Sequence, residues 1–341
     1  MSIILSDIKI YTAAVFPEND AVTNIGGAHD FTKKCQFSDF SGTWQVVSDS
    51  TADDYPTSRA LTLYYRDFAG AILNETVLMD GTTFALGVSN IERMMKGVKS
   101  GGAFTGSAAI ISQTPFFSGT LPAQTGLSAD QIKFPSGASA VTGTYQQMVF
   151  RGASGGLGDT KLGEIIDYDG ATKIATVNRT VTGEFDNTTV FEVYEGMFLD
   201  KTPNEITEVV RVDYDSSADV PVLSGGSDRD FYVKVFFEHT DASASGLSAT
   251  SCVVREAQDP TGLNTFAIGT ALNDTVDNGA FNRQTAPSSG VTSFDNSDKN
   301  VPSGQIMAPG DRIAVWIKLH RVAGAVAVKS FWMPQFRFQT T

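Results

Sequence analysis

The stretch that decides the fold lies in the middle of the chain and is EIIDYDGATKIATV (residues 164–177). It contains two strand-length runs of branched and aromatic residues, separated by Asp169-Gly170. Such a pair between apolar runs is a strong signal for a β-hairpin, because glycine tolerates the positive φ angles of tight turns. Similar short runs bounded by turn residues extend from Val141 to Glu195. Together they predict a compact β-module of about five strands, near the usual size of a sheet.

Alternating strands also occur on both sides of this module. The clearest span Ala60–Arg66, Asp230–Glu238 and Arg312–Arg321, where apolar residues alternate with polar ones. The 341 residues include 23 Phe and 32 Gly, a mixture that suits many short strands joined by turns. The sequence therefore predicts an all-β fold, an antiparallel β-sandwich interrupted by a small inserted β-module.

The predicted domain boundaries follow from this pattern. The runs before and after the module resemble each other, and a segment rich in Gly, Ser and Pro (118–126) leads into it. We therefore expect a discontinuous outer sandwich made of residues 1–118 plus 198–341. Residues 119–197 are expected to form the inserted module, since the ends of an inserted domain usually lie close together.

One segment, 89–99, carries the signals of a short helix. Ser89 and Glu92 have the spacing of a capping box, in which each side chain satisfies a free backbone N–H at the helix start. An apolar stripe at helical spacing follows, made of Ile91, Met94, Met95 and Val98. Gly97 would weaken or end the helix.

Charge and the chain start limit the function classes. The net charge of −13 argues against binding to a phosphate backbone as the main role, and no direct nucleic-acid binding is expected. No apolar run approaches the ~18 residues of a membrane-spanning helix, so we expect no membrane partner. The segment Met1–Asp7 lacks a basic region and a long apolar core, which predicts synthesis in a cytosol without a signal peptide.

The chain has two cysteines, Cys35 and Cys252. They lie far apart and have no metal-binding spacing, so two buried thiols are the favoured interpretation. A disulfide that joins the two halves of the outer domain stays open as the alternative.

No motif has catalytic or cofactor-binding spacing. The glycine-rich segment 152–161 ends in Asp-Thr-Lys and precedes a strand, whereas a phosphate-binding loop needs Gly-Lys-Ser/Thr before a helix. The three histidines, His29, His239 and His320, are isolated in the sequence. A glycosidase needs two facing carboxylates, and the sequence singles out no pair among its 38 acids. We therefore predict that the chain is not an enzyme and has no catalytic residue and no cofactor.

Acidic clusters are the remaining candidates for metal binding. They are Asp213 with Asp215 and Asp219, Asp228 with Asp230, and Asp295 with Asp298. None matches the twelve-residue calcium loop, which needs Gly at its sixth position and Glu at its twelfth. Solvated turn aspartates are the preferred interpretation, so no metal site is predicted.

A family resemblance rests on both ends and the middle of the chain. The motifs are Ser6–Tyr11, Asn24–Ala28, Met307–Gly310, Trp316–Ala325, Arg151–Gly158 and Asp167–Val177. The terminal motifs resemble those of virion structural proteins of tailed bacteriophages, which begin with a similar strand and Gly-Gly turn. Those proteins end with a similar Pro-Gly turn and Trp-containing strand. The two central motifs are similar to a small β-module of phage tail, fibre and head-surface proteins.

The resemblance implies a non-enzymatic virion component made in the host bacterial cytoplasm. Its expected partners are other virion proteins and copies of itself as a homo-oligomer. A position in the tail, at the neck, nozzle or baseplate, is favoured because the module resembles tail and fibre modules. Capsid decoration is the first alternative. A glycan-binding or depolymerising receptor-binding protein, which would touch a host surface receptor, is the alternative of another class.

Trp316 is the candidate interface residue. In the strand Arg312–Arg321, Ile313, Val315, Ile317 and Leu319 alternate toward one face, which we place in the core. Trp316 falls on the opposite face, where a monomer would expose it, and tryptophan is enriched among binding hot spots. The alternative is that the module or the polar segment 274–300 covers it within one chain.

Overall fold

A computed structural model describes residues 8–15, 26–36, 40–54, 58–155, 160–202, 205–210, 229–239, 247–258, 306–321 and 331–340. Every regular element within these ranges is a β-strand, and neighbouring strands pair antiparallel. The all-β prediction is confirmed. The strands are β1 (Ile8–Val15), β2 (Gly26–Cys35), β3 (Gly42–Ser48), β4 (Ala60–Arg66), β5 (Ile72–Leu78), β6 (Ala85–Ile91), β7 (Arg93–Ser100), β8 (Ala108–Ser112), β9 (Phe117–Thr120), β10 (Gln131–Lys133), β11 (Val149–Ser154), β12 (Leu162–Asp169), β13 (Ile174–Val177), β14 (Val190–Tyr194), β15 (Gly196–Leu199), β16 (Glu208–Val210), β17 (Arg229–His239), β18 (Leu247–Gln258), β19 (Ile306–Met307), β20 (Arg312–Arg321) and β21 (Phe331–Thr340).

The chain forms two compact units. The outer unit comprises Met1–Cys35 and Val212–Thr341, and the inner unit comprises Gln36–Arg211. In sequence, the two segments of the outer unit lie on either side of the inner unit. The boundaries differ from the predicted 118/119 and 197/198, because strands β3 to β8 belong to the same unit as the predicted module.

The outer unit contains the strand run β20-β17-β1-β2 and a second sheet in the order β19-β18-β21. The pairing of β17 with β20 continues without a register break from Arg229↔Arg321 to Glu238↔Arg312. Ile313, Val315 and Ile317 are fully buried, as predicted for the core face of this strand.

The inner unit contains three groups of paired strands. We call β15-β8-β3-β6 the central sheet, β16-β7-β4-β5 the flanking strands and β10-β13-β12-β11-β14-β9 the module sheet. The module sheet spans 117–194, and four of its strands, β11 to β14, lie within 141–195, where about five strands were expected.

The central sheet is apolar on both faces. On one side, a methyl group added at Gly97 of β7 would lie 2.8 Å from Cδ1 of Ile110, so the flanking strands approach it closely. On the other side, one buried cluster joins residues of the central sheet to residues of the module sheet: Val47, Ala109, Ile111 and Phe198 with Val149, Leu162 and Tyr194. The module therefore shares part of its apolar surface with the rest of the inner unit.

The module also has a core of its own, built largely from aromatic rings. The rings of Phe134 and Phe191 stack with centroids 4.9 Å apart, and Tyr145 meets Tyr168 edge to face at 4.6 Å. Aromatic pairs in such geometries add stability beyond the area they bury. Fifteen buried residues from Leu121 to Val193 form this cluster.

The hairpin predicted at Asp169-Gly170 is present, since β12 pairs with β13 from Asp169↔Ile174 onward. The positive φ angle is taken by Lys173, at 62°, and not by Gly170. Gly170 is required for a different reason, because a Cβ atom there would lie 2.3 Å from the carbonyl oxygen of Ala140. The Asp169 carboxylate stabilises the turn by accepting hydrogen bonds from Ala171 N and Thr172 Oγ1.

The helix predicted over 89–99 is wrong. The segment forms the end of β6 and nearly all of β7, and the chain passes at Glu92 from the central sheet to the flanking strands. Residues 94–97 are buried in succession, because β7 is covered on both faces. A strand that is buried on both faces does not show the alternation of a half-exposed strand. The apolar residues of this run therefore matched the spacing of a helix by coincidence.

Among the residues that the structure describes, there is no helix with the length and apolar character needed to cross a membrane. Cys35 is a buried thiol at the end of β2. The side chain of Cys252 in β18 lies outside the described part of the chain.

Candidate functional site

Trp316 lies in β20 opposite Lys234 of β17 and is only 1% exposed. The predicted exposure of this indole is therefore wrong. The segment 274–300 lies outside the described residues. The indole instead packs on Gly26 of β2, where an added methyl group would lie 3.1 Å from Cη2.

Lys234 completes the surroundings of the indole. Its ammonium group lies 5.8 Å from the Trp316 ring centroid and donates a hydrogen bond to the carbonyl oxygen of Gly27. It also lies 4.9 Å from the ring centroid of Phe236 on the same strand. A cation over aromatic rings is attracted by the negative ring faces. Trp316 is thus part of the interior of the outer unit.

Strand β2 brings His29 into a second cluster that the sequence did not indicate. The pairing of β1 with β2 shifts register between Tyr11↔Lys34 and Ala13↔His29. His29 Nε2 then lies 3.0 Å from Glu238 Oε2, and His29 Nδ1 lies 3.0 Å from Nη1 of Arg312. A guanidinium group can only donate, so His29 Nδ1 is the acceptor in its contact with Arg312.

This cluster is buried, and its contacts hold neighbouring strands of the outer unit together. The side chains of His29 and Glu238 are 1% and 7% exposed. Three aromatic rings surround the imidazole, with centroid distances of 4.8 Å to Tyr11, 4.4 Å to Phe31 and 5.2 Å to Phe236. A general base must reach the proton of a substrate, and this imidazole is shielded from one. The histidine was predicted to be isolated because its partners are distant in sequence.

A pair of aspartates holds the loops of the inner unit. Asp53 is fully buried, and its carboxylate accepts hydrogen bonds from Thr105 N at 2.7 Å, Gly106 N at 3.0 Å and Ser48 Oγ at 2.6 Å. Asp49 accepts one from Ser107 N, and burial raises the pKa of its carboxyl group above the usual value. These carboxylates accept hydrogen bonds from backbone N–H groups and from Ser48 Oγ, so they stabilise the loops.

The acidic clusters weighed for calcium fall mostly outside the described residues. Only Asp230 is described, and its carboxylate pairs with Lys318 Nζ at 2.9 Å. Within the described ranges, no three His, Cys, Asp or Glu side chains are grouped so that they could hold a metal ion. Of the other sequence candidates, His239 is fully buried at the end of β17, and the side chain of His320 is not described.

The exposed apolar side chains, in contrast, are concentrated in one segment. Ten large hydrophobic side chains of the described residues are exposed, and six of these lie between positions 68 and 88. We call these six the apolar edge: Phe68 (64% exposed), Ile72 (39%), Leu73 (44%), Leu78 (51%), Leu86 (62%) and Val88 (89%). These side chains do not share one face. Ile72 and Leu78 lie on the face of β5 opposite to buried Val77, whereas Leu86 lies on the module face of the central sheet.

The apolar edge lies where two groups of strands end. Strand β5 is the last of the flanking strands, and β6 is the last strand of the central sheet. The Glu75 carboxylate of β5 accepts hydrogen bonds from Val88 N at 2.7 Å and Ser89 N at 3.0 Å of β6. The two strand edges are therefore held side by side. Sequence reasoning missed this surface because it assigned no strand to 72–78 and a helix from Ser89 onward.

Comparison of the chain with protein-family models, with curated proteins and with solved structures gives no match.

Proposed function

We propose that the chain is a non-enzymatic structural component of a tailed bacteriophage virion. The observation that carries the proposal is the contact between Gly26 and Trp316. Gly26 belongs to the opening motif of the resemblance and Trp316 to the closing motif. Two short motifs from opposite ends of a chain have a physical reason to occur together when they form one packing contact. This contact supports treating the two terminal matches as one feature of a shared fold.

Two further observations favour a structural role. The buried carboxylates of Asp53 and Glu238 contact protein groups, so they are already used in holding strands and loops together. Leu86 and Val88, which are exposed on β6, offer an apolar contact for assembly, which a virion component needs. We propose contacts with copies of the chain and with neighbouring virion proteins, after synthesis in the host cytoplasm.

Within the particle we propose the tail, in the region of the neck, nozzle or baseplate. The motif Asp167–Val177, which resembles modules of tail and fibre proteins, forms the hairpin between β12 and β13 of the module sheet. Capsid decoration is the competing position, and the two differ in the number of copies per particle.

The test is quantitative mass spectrometry of purified particles together with a density map of the virion. We expect the chain in the particles at a low multiple of three, five or six, with density at the tail. Hundreds of copies spread over the shell would show decoration, and absence from the particles would contradict the proposal. A reducing-sugar release assay on host surface glycans checks the other class: turnover abolished by one acidic substitution would show a depolymerase.

A further inference from the structure

Asp130 is a buried acidic residue at the start of β10 in the module sheet. In this strand Ile132 pairs with Ala175 of β13, and both residues belong to the core of the module. The same register continues to Asp130, because the N–H group of Val177 donates a hydrogen bond to its carbonyl oxygen. Val177 also belongs to this core and pairs on its other side with Ile165 of β12. Asp130 therefore lies beside a row of core residues.

The carboxyl group of Asp130 has no partner that would stabilise its charge. The residue is 2% exposed, and neither carboxyl oxygen has a hydrogen-bond partner in another residue. Burial raises the pKa of this carboxyl group above its ordinary value, and its own backbone N–H group partly opposes the rise. A carboxylate that is removed from water without a partner is unfavourable, so ionisation of Asp130 weakens the packing around it.

The titratable side chains of the neighbouring segments are bound to other groups. They are Lys133, Tyr145, Tyr168, Lys173, Arg179 and Glu184. Arg179 pairs with Glu184 at 2.6 Å in the turn that follows β13. Tyr168 and Lys173 donate hydrogen bonds to the carbonyl oxygen of Ser139, and Tyr145 accepts one from the N–H group of the same residue. Lys133 is exposed at the end of β10. These contacts leave the Asp130 carboxyl group to be governed by its burial.

The segment that carries Asp130 is held by few contacts. We call residues 128–133 the edge segment, because its strand β10 has three residues and is the last strand of the module sheet. Besides its pairing with β13, it accepts backbone hydrogen bonds from Val177 N at Asp130 and from Val181 N at Ala129. Short segments at the edge of a sheet open at a lower free energy than the core strands.

We propose that Asp130 makes the packing of the edge segment sensitive to pH. With a neutral carboxyl group the segment packs on the module core, and ionisation of this group loosens it while the other strands of the module stay paired. A detached segment loses the proton at the ordinary pKa of an aspartate, whereas the packed segment retains it to higher pH. The packing is therefore tightest below the ordinary pKa and weakens as the pH rises through the interval between the two pKa values.

Hydrogen exchange of the wild-type chain tests the proposal without any substitution. Exchange rates are measured from about pH 4 to 7 and corrected for the intrinsic pH dependence of amide exchange. We expect the amides of Val177 and Val181 to lose protection by up to about tenfold per pH unit within this interval, since one proton is released on opening. The amides of β11 should keep their protection. A pH-independent protection of Val177 and Val181 overturns the proposal, and an equal loss in β11 overturns the local opening.

Two variants assign the pH dependence to one side chain. Asp130→Asn has nearly the same size and cannot ionise, and Asp167→Asn, at a half-buried position of β12, is the matched control. We expect the protection of the Val177 amide to be independent of pH in Asp130→Asn and to follow the wild type in Asp167→Asn. Asp49, whose pKa burial also raises, is present in all three proteins and cannot cause this difference. An Asp130→Asn variant with the pH dependence of the wild type contradicts the proposal. If this variant does not fold, the exchange of the wild type decides.

Discussion

The indole of Trp316 lies on the α-carbon of Gly26, so close that a methyl group at Gly26 would be 3.1 Å from Cη2 and 3.2 Å from Cζ2. Gly26 opens β2 with a φ angle of +92°, in the region that favours glycine. The start of β2 therefore needs glycine for two reasons, its backbone conformation and the ring that covers it. This contact joins the first and last parts of the outer unit.

The first prediction concerns Gly26→Ala. Alanine at positive φ costs about 1–2 kcal/mol, and crowding of the indole should add about 1–3 kcal/mol to the loss of stability. Gly310→Ala is the control, because Gly310 has a φ angle of +88° and no atom within 4 Å of an added Cβ. Denaturant unfolding measures both. If both variants lose the same free energy of unfolding, the Trp316 ring moves away from the new methyl group without loss of stability, which contradicts the expected crowding.

Trp316→Ala should destabilise the isolated chain severely. The buried indole leaves a large cavity when it is truncated, which typically costs about 3–5 kcal/mol. Lys318→Ala, two residues along the same strand and partly exposed, should cost much less. Thermal unfolding of the purified variants provides the comparison. An unchanged melting temperature for Trp316→Ala would contradict a core role and would support an interface role for this side chain.

Gly97→Ala distinguishes the observed strand from a helix by the sign of its effect. In an exposed helix the change would stabilise by about 1 kcal/mol, because glycine is a poor helix former. In β7 the new methyl group would lie 2.8 Å from Cδ1 of Ile110 and 3.2 Å from Sδ of Met197, so we expect destabilisation. Shortening the neighbour in Gly97→Ala/Ile110→Val should recover part of the loss. A more stable Gly97→Ala would contradict the strand assignment.

Asp53→Asn should loosen the loops of the inner unit. The amide retains one acceptor oxygen, and its NH₂ group would face backbone N–H groups that the carboxylate now satisfies. We expect a loss of about 2–4 kcal/mol, since hydrogen bonds to a buried charged group are worth more than neutral ones. Asp54→Asn at the exposed neighbouring position is the control. Chemical denaturation measures both variants, and similar midpoints would show that the Asp53 contacts are dispensable.

Because the Tyr168 phenol is buried, we expect the free energy of unfolding to fall at alkaline pH. Burial raises the pKa of its phenol from 10.0 to about 12, and the hydroxyl group donates to the carbonyl oxygen of Ser139. Between pH 10 and 12 the unfolded chain has lost this proton while the folded chain retains it, so the free energy of unfolding falls as pH rises.

Absorbance at 295 nm, which follows phenolate formation, and urea unfolding check this prediction. In the folded protein the phenol of Tyr168 should ionise late, and it should ionise normally in denaturant. Tyr168→Phe should reduce the late-titrating signal, to which Tyr194 and Tyr232 also contribute because burial raises their pKa values as well, and should show a shallower fall of unfolding free energy with pH. A wild-type titration identical in the folded and unfolded chain would contradict it.

Strand character could be predicted well where one face is buried and the other is not. The segments 60–66 and 312–321 were predicted with the bounds of β4 and β20, because alternation is a local property of the sequence. The prediction for 89–99 was wrong where β7 is covered on both sides and alternation is lost. The apolar edge was missed because exposure at the end of a sheet depends on which strand comes last.

The sequence by itself determined that this chain is all-β, that its middle forms a hairpin module and that Ile313, Val315 and Ile317 are core residues. Each of these follows from residues close together in the chain. The tertiary structure alone decided that Gly26 contacts Trp316, that His29 contacts Glu238 and Arg312, and that Leu86 and Val88 are exposed. The physical reason is that side-chain burial and side-chain contacts depend on strands that are distant in sequence. The register of those strands cannot be predicted from a local sequence pattern.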